Sequence, residues 1–338
     1  MKVGVIGCGA VAHYCHLPAL LRISGVTIAA VADPDEALRN RAAQSARCAA
    51  FKSAEFLLAS AEVDAVIIAT PPPTHAAIGI MAARAGKSIY LEKPIATTLT
   101  DAADLFAAAS EAGVTAAVGF NRRSHPLYIR ARDMIRRGAV GELQAIQTMF
   151  CEPVPAGGLP VWKAARSSGG GALLDLASHH VDIIRWLTDR EIASVHAHVR
   201  SEQSEHDSAS MEMRLDDGIT AQIFVSFRAG YAERIVLIGD KGTLGIDRHR
   251  GSLSLQTSRR FGYGARQRAI PPSISDLPWK LRRIVRPAHD PSYERALLAF
   301  ARNSQTLPSL QDGVVSLSVI IAAEESAARG GSVEVPAT

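Results

Sequence analysis

The first 120 residues alternate between short apolar runs of four to six residues and longer alanine-rich stretches. Short apolar runs are typical of buried strands, and the longer stretches have the length of helices. Helical crossovers between short buried strands predict a doubly wound parallel sheet of the Rossmann type. The predicted strands are Val3–Ile6, Thr27–Ala32, Ala65–Thr70, Ser88–Leu91 and Thr115–Val118. The predicted helices are Val11–Leu21, Pro34–Ala46, Thr74–Ala85 and Asp101–Ala112.

The pattern changes after Phe120, where strand-like segments follow one another at hairpin spacing. Such spacing predicts an antiparallel sheet, and one helix over Ala172–Leu187 interrupts the series. We therefore predict an α/β fold with a Rossmann domain over residues 1–120 and an α+β domain over residues 121–338, the latter carrying a mostly antiparallel sheet. The predicted strands are Gln144–Phe150, Ser194–Val199, Ser210–Leu215, Ile219–Phe227, Arg234–Ile238 and Gly242–Ile246.

Composition narrows the class of protein. A length of 338 residues favours two domains, and a net charge of +4 is too small to argue for a nucleic-acid partner. The four cysteines form no CxxC pair, which favours thiols in a cytoplasmic protein. No run of about 18 apolar residues predicts a membrane span, and we expect no secretion signal before the first strand.

A GxGxxA pattern, Gly7-Cys8-Gly9-Ala10-Val11-Ala12, lies between the first strand and the first helix. Gly7 permits a tight turn, Gly9 lets the backbone approach a pyrophosphate, and Ala12 permits close packing of helix on strand. The amides of Ala10 and Val11 open the helix, whose positive dipole end attracts phosphate. The pattern predicts a dinucleotide site.

Asp33 ends the second predicted strand. A carboxylate in this place accepts hydrogen bonds from the adenosine ribose and repels a 2′-phosphate, which favours NAD over NADP. An alternative role for Asp33 is the N-cap of the helix that follows, and the two roles are compatible.

Two further loops follow predicted strands of the first domain. Thr70 and Pro71 begin a proline-rich turn that suits a rigid wall beside a cofactor. His75 either contacts the cofactor or lies in the first turn of a solvated helix. Glu92 and Lys93 precede Pro94 at the carboxyl end of a strand, where a nicotinamide would lie, so the lysine is a cation directed at hydride transfer.

Polar residues follow at the boundary between the domains. Asn121 is predicted to contact the nicotinamide ribose or substrate, and Arg122 a polar group of the substrate. For Arg123, an ion pair between the domains is as good an interpretation as a contact with substrate.

In the second domain, a Gly169-Gly170-Gly171 run leads into the helix that carries Asp175 and His179. Residues four apart share a helix face, and a carboxylate one turn from an imidazole raises its basicity, as a general base requires. The alternative is a buried Asp–His pair that only holds the helix in place. His179 and His180 point about 100° apart on a helix, so we predict no metal site.

These residues together resemble the Gfo/Idh/MocA oxidoreductases, the family of glucose–fructose oxidoreductase and inositol dehydrogenase. The resemblance covers nearly the whole chain and rests on GCGAVA, TPPPTH, AGKSIYLEKP, GFNRR, a tryptophan ahead of SGGG, and DLASHHVD. It implies that Lys93, Asp175 and His179 are catalytic: the lysine binds the nicotinamide ribose and the reacting hydroxyl, the histidine takes the hydroxyl proton, and the aspartate orients one of them.

The resemblance also implies an open sheet whose outer face joins subunits, hence a homodimer or homotetramer. It implies a small carbohydrate-type substrate, which we predict to contact Arg122, Trp162 and His180. The predicted function is an NAD-dependent dehydrogenase acting on a hydroxyl of a sugar, polyol or sugar derivative. Two alternatives remain open: a glycosidase or lyase that uses bound NAD without net turnover, and a non-catalytic dinucleotide-binding regulator.

One segment is unusually basic. Between Arg259 and Arg286, eight basic residues accompany a single acid, Asp276. The interpretations are a solvated or subunit-bridging arm, or a surface that attracts an anionic substrate.

Overall fold

The computed structural model describes residues 1–60, 62–155, 157–258, 265–271, 281 and 290–336. The chain divides into two compact units, residues 1–121 with 290–317 and residues 122–289 with 318–338. The chain passes from the first unit to the second after residue 121, and residues 290–317 interrupt the second unit, which we predicted as continuous over 121–338. Residues 290–317 belong to the first unit because they supply part of its core.

The sheet of the first unit has six strands in the order β3-β2-β1-β4-β5-β6, all parallel. This is the doubly wound Rossmann arrangement, so the predicted fold of the first unit is confirmed. The edge strand β3 was not predicted. The strands are β1 (Lys2–Ile6), β2 (Thr27–Ala32), β3 (Ala49–Phe51), β4 (Ala65–Ile68), β5 (Ser88–Leu91) and β6 (Ala116–Val118).

Helices cover the sheet of the first unit, and further helices belong to the second unit. The α-helices of the described residues are α1 (Leu17–Leu20), α2 (Glu36–Ala46), α3 (Ala54–Ser60), α4 (His75–Arg84), α5 (Leu99–Ala112), α6 (Pro126–Arg136), α7 (Val161–Ala164), α8 (Ser178–Thr188), α9 (Pro291–Ala301) and α10 (Leu310–Arg329).

Helix α9 completes the core of the first unit. Leu297 and Phe300 are buried in the cluster that contains Leu20 and Tyr90, and the Phe300 and Tyr90 rings meet edge to face at 5.7 Å. The Val118 amide of β6 donates to the carbonyl of Pro308 at 3.0 Å. The late segment therefore contributes both apolar packing and backbone hydrogen bonds to the Rossmann sheet.

The sheet of the second unit has nine strands in the order β14-β13-β12-β11-β7-β10-β9-β8-β15. All its neighbouring strands are antiparallel except β7 and β10, so the prediction of a mostly antiparallel sheet is confirmed. The strands are β7 (Leu143–Cys151), β8 (Ile192–Arg200), β9 (Ser208–Leu215), β10 (Thr220–Ser226), β11 (Ala232–Gly239), β12 (Gly242–Asp247), β13 (Ser252–Ser258), β14 (Ala265–Ile270) and β15 (Val333–Glu334).

Two of the predicted helices begin differently from an ordinary α-helix. Ala12–His16 and Leu173–Ala177 are π-helical and lead directly into α1 and α8. A π-helical turn is wider than an α-helical turn and contains more residues. Such turns are frequent at functional sites. Both follow the glycine-rich turns that the sequence singles out.

No helix in the described ranges is long and apolar enough to cross a bilayer. Most of the basic segment predicted between Arg259 and Arg286 lies outside the described residues. Only two of its cations, Arg266 and Arg268, fall on a described element, β14.

Candidate active site

The fingerprint turn is shaped by the approach of β1 to β4. Gly7 has a φ of +92°, and a Cβ at this position would lie 2.5 Å from the carbonyl oxygen of Ala69. The Gly7 amide donates to the carbonyl of Ala32 at 2.8 Å, which ties the turn to β2. Because any side chain would be both strained and obstructed, this position requires glycine.

Gly9 faces open space, since a Cβ built on it would meet no atom within 4 Å. Ala10 and Val11 beside it are exposed, and the first helical hydrogen bond runs from the His13 amide to the Gly9 carbonyl at 2.9 Å. The amides of the first turn precede that bond and have no acceptor within the helix. The turn is therefore an open cradle that fits a pyrophosphate.

Asp33 joins the fingerprint turn to the end of β2. Its carboxylate accepts from the Cys8 amide at 2.7 Å and from the Asp35 amide at 2.8 Å. The residue is half-buried, so one side of the carboxylate remains accessible. The alternative role as an N-cap is wrong, because Asp35 caps α2 by accepting from the Leu38 amide.

His75 joins the two loops that follow β4 and β5. Its Nδ1 lies 2.7 Å from the Pro94 carbonyl oxygen and its Nε2 lies 2.8 Å from that of Thr70. Burial lowers the pKa of His75 against the opposing effect of these carbonyls. The ring is 1% exposed, so it acts on the cofactor loops from inside the fold and is not a solvated residue.

Glu92 is wedged between the fingerprint helix and the strand end at Gly119. Its Oε1 lies 2.8 Å from the Nε2 of buried His16, without hydrogen-bond geometry. A Cβ on Gly119 would lie 3.1 Å from the Glu92 Oε2, so glycine there makes room for the carboxylate. Lys93 directly follows Glu92 at the carboxyl end of β5. The chain next to Lys93 is therefore held on two sides, by the contacts of Glu92 with His16 and with Gly119.

Asn121 is buried, and its amide donates to the Ser292 hydroxyl at 3.0 Å. That bond ties the end of the Rossmann chain segment to α9 within the first unit. The structure therefore assigns Asn121 an internal contact, and the predicted contact with the nicotinamide ribose stays a prediction.

In the second unit, the three-glycine run packs against the segment that contains α7. A Cβ on Gly170 would lie 2.3 Å from the Lys163 carbonyl oxygen, and the Gly171 amide donates to that same carbonyl at 3.1 Å. Gly171 has a φ of +93°, and the Asp175 amide donates to its carbonyl at 2.9 Å. The glycines thus let the start of the helix lie close to Lys163.

The side chains of Asp175 and His179 are nearly buried, 6% and 8% exposed as residues. The Asp175 Oδ2 lies 2.8 Å from the Lys163 Nζ, a partner that we did not predict. The His179 ring meets Phe150 edge to face at 6.1 Å. A carboxylate, an ammonium and an imidazole therefore converge on the start of this helix, a set of groups able to hold and move a proton.

Arg122 and His180 are buried in the second unit. The Arg122 Nε donates to the Glu233 Oε1 at 2.6 Å, and Glu233, which is fully buried, also binds Arg248. His180 is fully buried and stacks on Phe150 at 5.4 Å. Burial lowers the pKa of His180 to about 3, so the ring is neutral. Both residues are therefore core residues of the second unit, and their predicted contacts with substrate stay predictions.

Trp162 and Arg123 complete the set of predicted residues. Trp162 is half-buried, with the Lys163 Nζ 5.5 Å from its ring centroid. Arg123 donates to both oxygens of Asp182, at 3.0 and 2.5 Å, inside the second unit. This pair lies within the second unit, and the interpretation of Arg123 as an ion pair between the domains stays a prediction.

Three residues that the sequence did not single out contribute to these arrangements, namely His16, Lys163 and Glu233. His16 and Glu233 act through partners far away along the chain, for example Glu233 through Arg122, 111 positions earlier. Lys163 alone carried a local signal, since it directly follows Trp162 ahead of the glycine run. In the described ranges, no group of three or more His, Cys, Asp or Glu side chains is arranged to hold a metal ion.

A fingerprint turn that is open at Gly9, beside a carboxylate at the end of β2 on a doubly wound sheet, defines the class, a dinucleotide-binding enzyme. Residues 1–120 match the oxidoreductase family with an NAD-binding Rossmann fold, and residues 128–245 match the Gfo/Idh/MocA C-terminal domain. The chain belongs to the Gfo/Idh/MocA family of NAD-dependent oxidoreductases, as its motifs indicated.

Relatives and solved structures agree with this assignment. The chain is 28% identical to inositol 2-dehydrogenase of Rhizobium meliloti (strain 1021), over 99% of each chain. It is 31% identical to inositol 2-dehydrogenase 2 of Saccharopolyspora erythraea, over 73% of each. The solved structure of GenD2 from gentamicin A biosynthesis in complex with NAD has a TM-score of 0.83 at 27% identity, covering 100% of this chain and 97% of that one.

Proposed function

We propose that this chain is an NAD-dependent dehydrogenase of a polyol, sugar or sugar derivative, acting on a secondary hydroxyl or the corresponding ketone. The observation that carries the proposal is the open dinucleotide turn at Gly9 in one unit, together with the Asp175–His179 helix in the other. Relatives named inositol 2-dehydrogenase support the choice of substrate class.

We propose Lys93, Asp175 and His179 as the catalytic residues. Bound NAD supplies the hydride acceptor. His179 takes the hydroxyl proton as a general base, because an imidazole titrates near neutral pH. Lys93 stabilises the negative charge that develops on the substrate oxygen. Asp175 orients its neighbours through its charge.

We propose a preference for NAD over NADP. The Asp33 carboxylate is held at the end of β2 by two amides, where it would repel a 2′-phosphate. Arg39 approaches the same strand end, but its Nη1 donates to the carbonyls of Asp33 and Pro34, at 2.7 and 3.3 Å. Its hydrogen bonds to the backbone thus support a structural role rather than phosphate binding.

The proposed function predicts NADH formation at 340 nm with at least one member of a panel of inositols, aldoses and sugar acids, faster with NAD than with NADP. Product release without accumulation of NADH would instead favour the redox-neutral glycosidase or lyase. Tight binding of NAD with no turnover or product in any assay would contradict the dehydrogenase and favour a regulator. A Lys93→Met chain that still binds NAD serves as the inactive control.

We propose that the outer face of the second sheet joins two copies of this chain. Alternating positions of β9 and β10 are exposed along this face, among them Phe224 at 38%, and Met149 of β7 adds 41%. Phe224→Glu is expected to shift the sedimentation equilibrium from dimer toward monomer. Phe56→Glu, which changes an exposed phenylalanine of the first unit, is the matched control. A wild-type monomer would contradict the proposal.

We infer a reducing compartment, the cytoplasm, from the cysteines. Cys8, Cys15, Cys48 and Cys151 all lie in the described residues, and none forms a disulfide. Burial raises the pKa of Cys8 to about 12 and that of Cys48 to about 11, which keeps both as unreactive thiols.

A further inference from the structure

Lys163 is a second lysine at the Asp175–His179 helix. It lies on the short helix α7, and its Nζ is 2.8 Å from the Asp175 Oδ2. The lysine side chain is 22% exposed and the aspartate side chain 8%, so the ion pair is largely shielded from water. Removing one member of such a pair leaves a poorly solvated charge, so the loss of either partner is costly.

The backbone around Lys163 fixes where its side chain begins. Its carbonyl accepts from the Gly171 amide, and Gly170 approaches that carbonyl so closely that no other residue fits. The glycine run therefore holds α7 against the first turn of the helix that carries Asp175. The backbone conformation therefore places Lys163 within reach of Asp175.

The surroundings favour a charged lysine. Its Nζ lies 5.5 Å from the ring centroid of Trp162 and 5.7 Å from that of Phe227, distances at which aromatic faces attract cations. Burial opposes the charge, but attraction by Asp175 and Glu152 outweighs it and raises the pKa of Lys163. Lys163 is therefore a cation throughout the pH range in which an imidazole titrates.

Several charged groups act on His179 besides Lys163. Asp175 and Asp182 lie on its own helix, and Asp182 is neutralised by Arg123. Beyond Phe150 lies the buried network of Arg122, Glu233 and Arg248. Neutral His180 follows on the same helix. Further groups on neighbouring elements are Glu152 and Cys151 at the end of β7 and Arg132 of α6, which lies against Trp186.

Among these groups, Asp175 lies four residues before His179 on the same helix, and Lys163 binds the Asp175 carboxylate. An uncompensated carboxylate there would stabilise the imidazolium and raise the pKa of His179, leaving less of the neutral base. An ammonium bound to that carboxylate offsets its charge and limits its rotation.

We propose that Lys163 is a positioning residue that holds the Asp175 carboxylate and keeps His179 basic without keeping it protonated. The inference rests on the proposed function, in which His179 is the general base. Lys163 does not itself need to touch the substrate.

The test compares the pH dependence of kcat/KM in wild type, Lys163→Met and Lys163→Arg. Loss of the cation is expected to move the acidic limb of the profile upward by about one pH unit, and the arginine variant to restore it. Arg166→Met is the matched control, because it removes a neighbouring cation that forms an ion pair with Glu324. It is expected to change stability and leave the limb in place. An unmoved limb in Lys163→Met would overturn the proposal.

A second measurement needs no turnover. The His179 imidazole is titrated by NMR in wild type and Lys163→Met, its signal assigned from a His179→Gln spectrum. The proposal requires a higher pKa in the variant, and equal values would overturn it. If Lys163→Met fails to fold by circular dichroism, Lys163→Gln replaces it, and a wild-type pKa above about 7 would already overturn the proposal. An inactive wild type with a raised pKa in the variant would refute the proposed function alone.

Discussion

Replacing Glu233 by glutamine is expected to lower the free energy of unfolding by about 3–5 kcal/mol. Glu233 is fully buried, and its carboxylate binds Arg122 and Arg248 and accepts from the Tyr128 hydroxyl at 3.1 Å. Glutamine keeps the volume but leaves the buried guanidinium group of Arg122 and the half-buried one of Arg248 without their anion. Urea titration of wild type and variant, followed by circular dichroism, measures the difference.

Asp133→Asn is the control for Glu233→Gln, because Asp133 pairs with Arg137 on the exposed side of α6. Exposed pairs of this kind contribute less than about 1 kcal/mol. Burial would raise the pKa of Glu233, but Arg122 and Arg248 outweigh it and lower the pKa to about 2. A carboxyl group whose pKa is lowered on folding contributes its full stabilisation at any pH above its pKa in the unfolded chain. The loss of stability in Glu233→Gln should therefore be equal at pH 6 and pH 8. Equal stability of wild type and Glu233→Gln would contradict the buried network.

Replacing His179 by alanine is expected to reduce kcat/KM by a factor of about 10²–10⁴, the usual contribution of a positioned general base. The affinity for NAD should not change, because the fingerprint turn and Asp33 belong to the other unit. Initial rates of NADH formation and titration of NAD by protein fluorescence separate the two effects. Added imidazole should restore part of the rate if the lost function is proton transfer.

His249→Ala is the control for His179→Ala, since His249 is an exposed histidine in the turn after β12 of the same unit. It should leave both the rate and the affinity for NAD unchanged. A His179→Ala enzyme that keeps more than about a tenth of the wild-type kcat/KM would show that His179 is not the base.

The Rossmann sheet could be predicted from sequence because its signals are local. Each buried strand is a continuous apolar run, and the glycines at 7 and 9 follow the first of them directly. Strand β3 and helix α3 escaped prediction, because β3 has only three residues and none of them is buried. The π-helical starts at Ala12 and Leu173 also carry no distinct sequence pattern.

In the candidate site, we could predict the residues whose role depends on their immediate neighbours in the sequence. Asp33 could be placed because it ends a strand beside the fingerprint. Arg122 and His180 look like available polar groups in sequence, and only the fold shows them buried with Glu233 and Phe150. Their partners lie on other strands, and nothing local to either residue specifies that packing.

The late segment 290–317 has a consequence for biosynthesis. The Rossmann unit leaves the ribosome first, yet Leu297 and Phe300 of α9 cover its core beside Leu20 and Tyr90. A nascent chain that ends anywhere before α9 must keep this apolar surface uncovered, where chaperones bind and aggregation begins. Folding of the first unit therefore cannot be completed until residues 122–289 of the second unit have been synthesised.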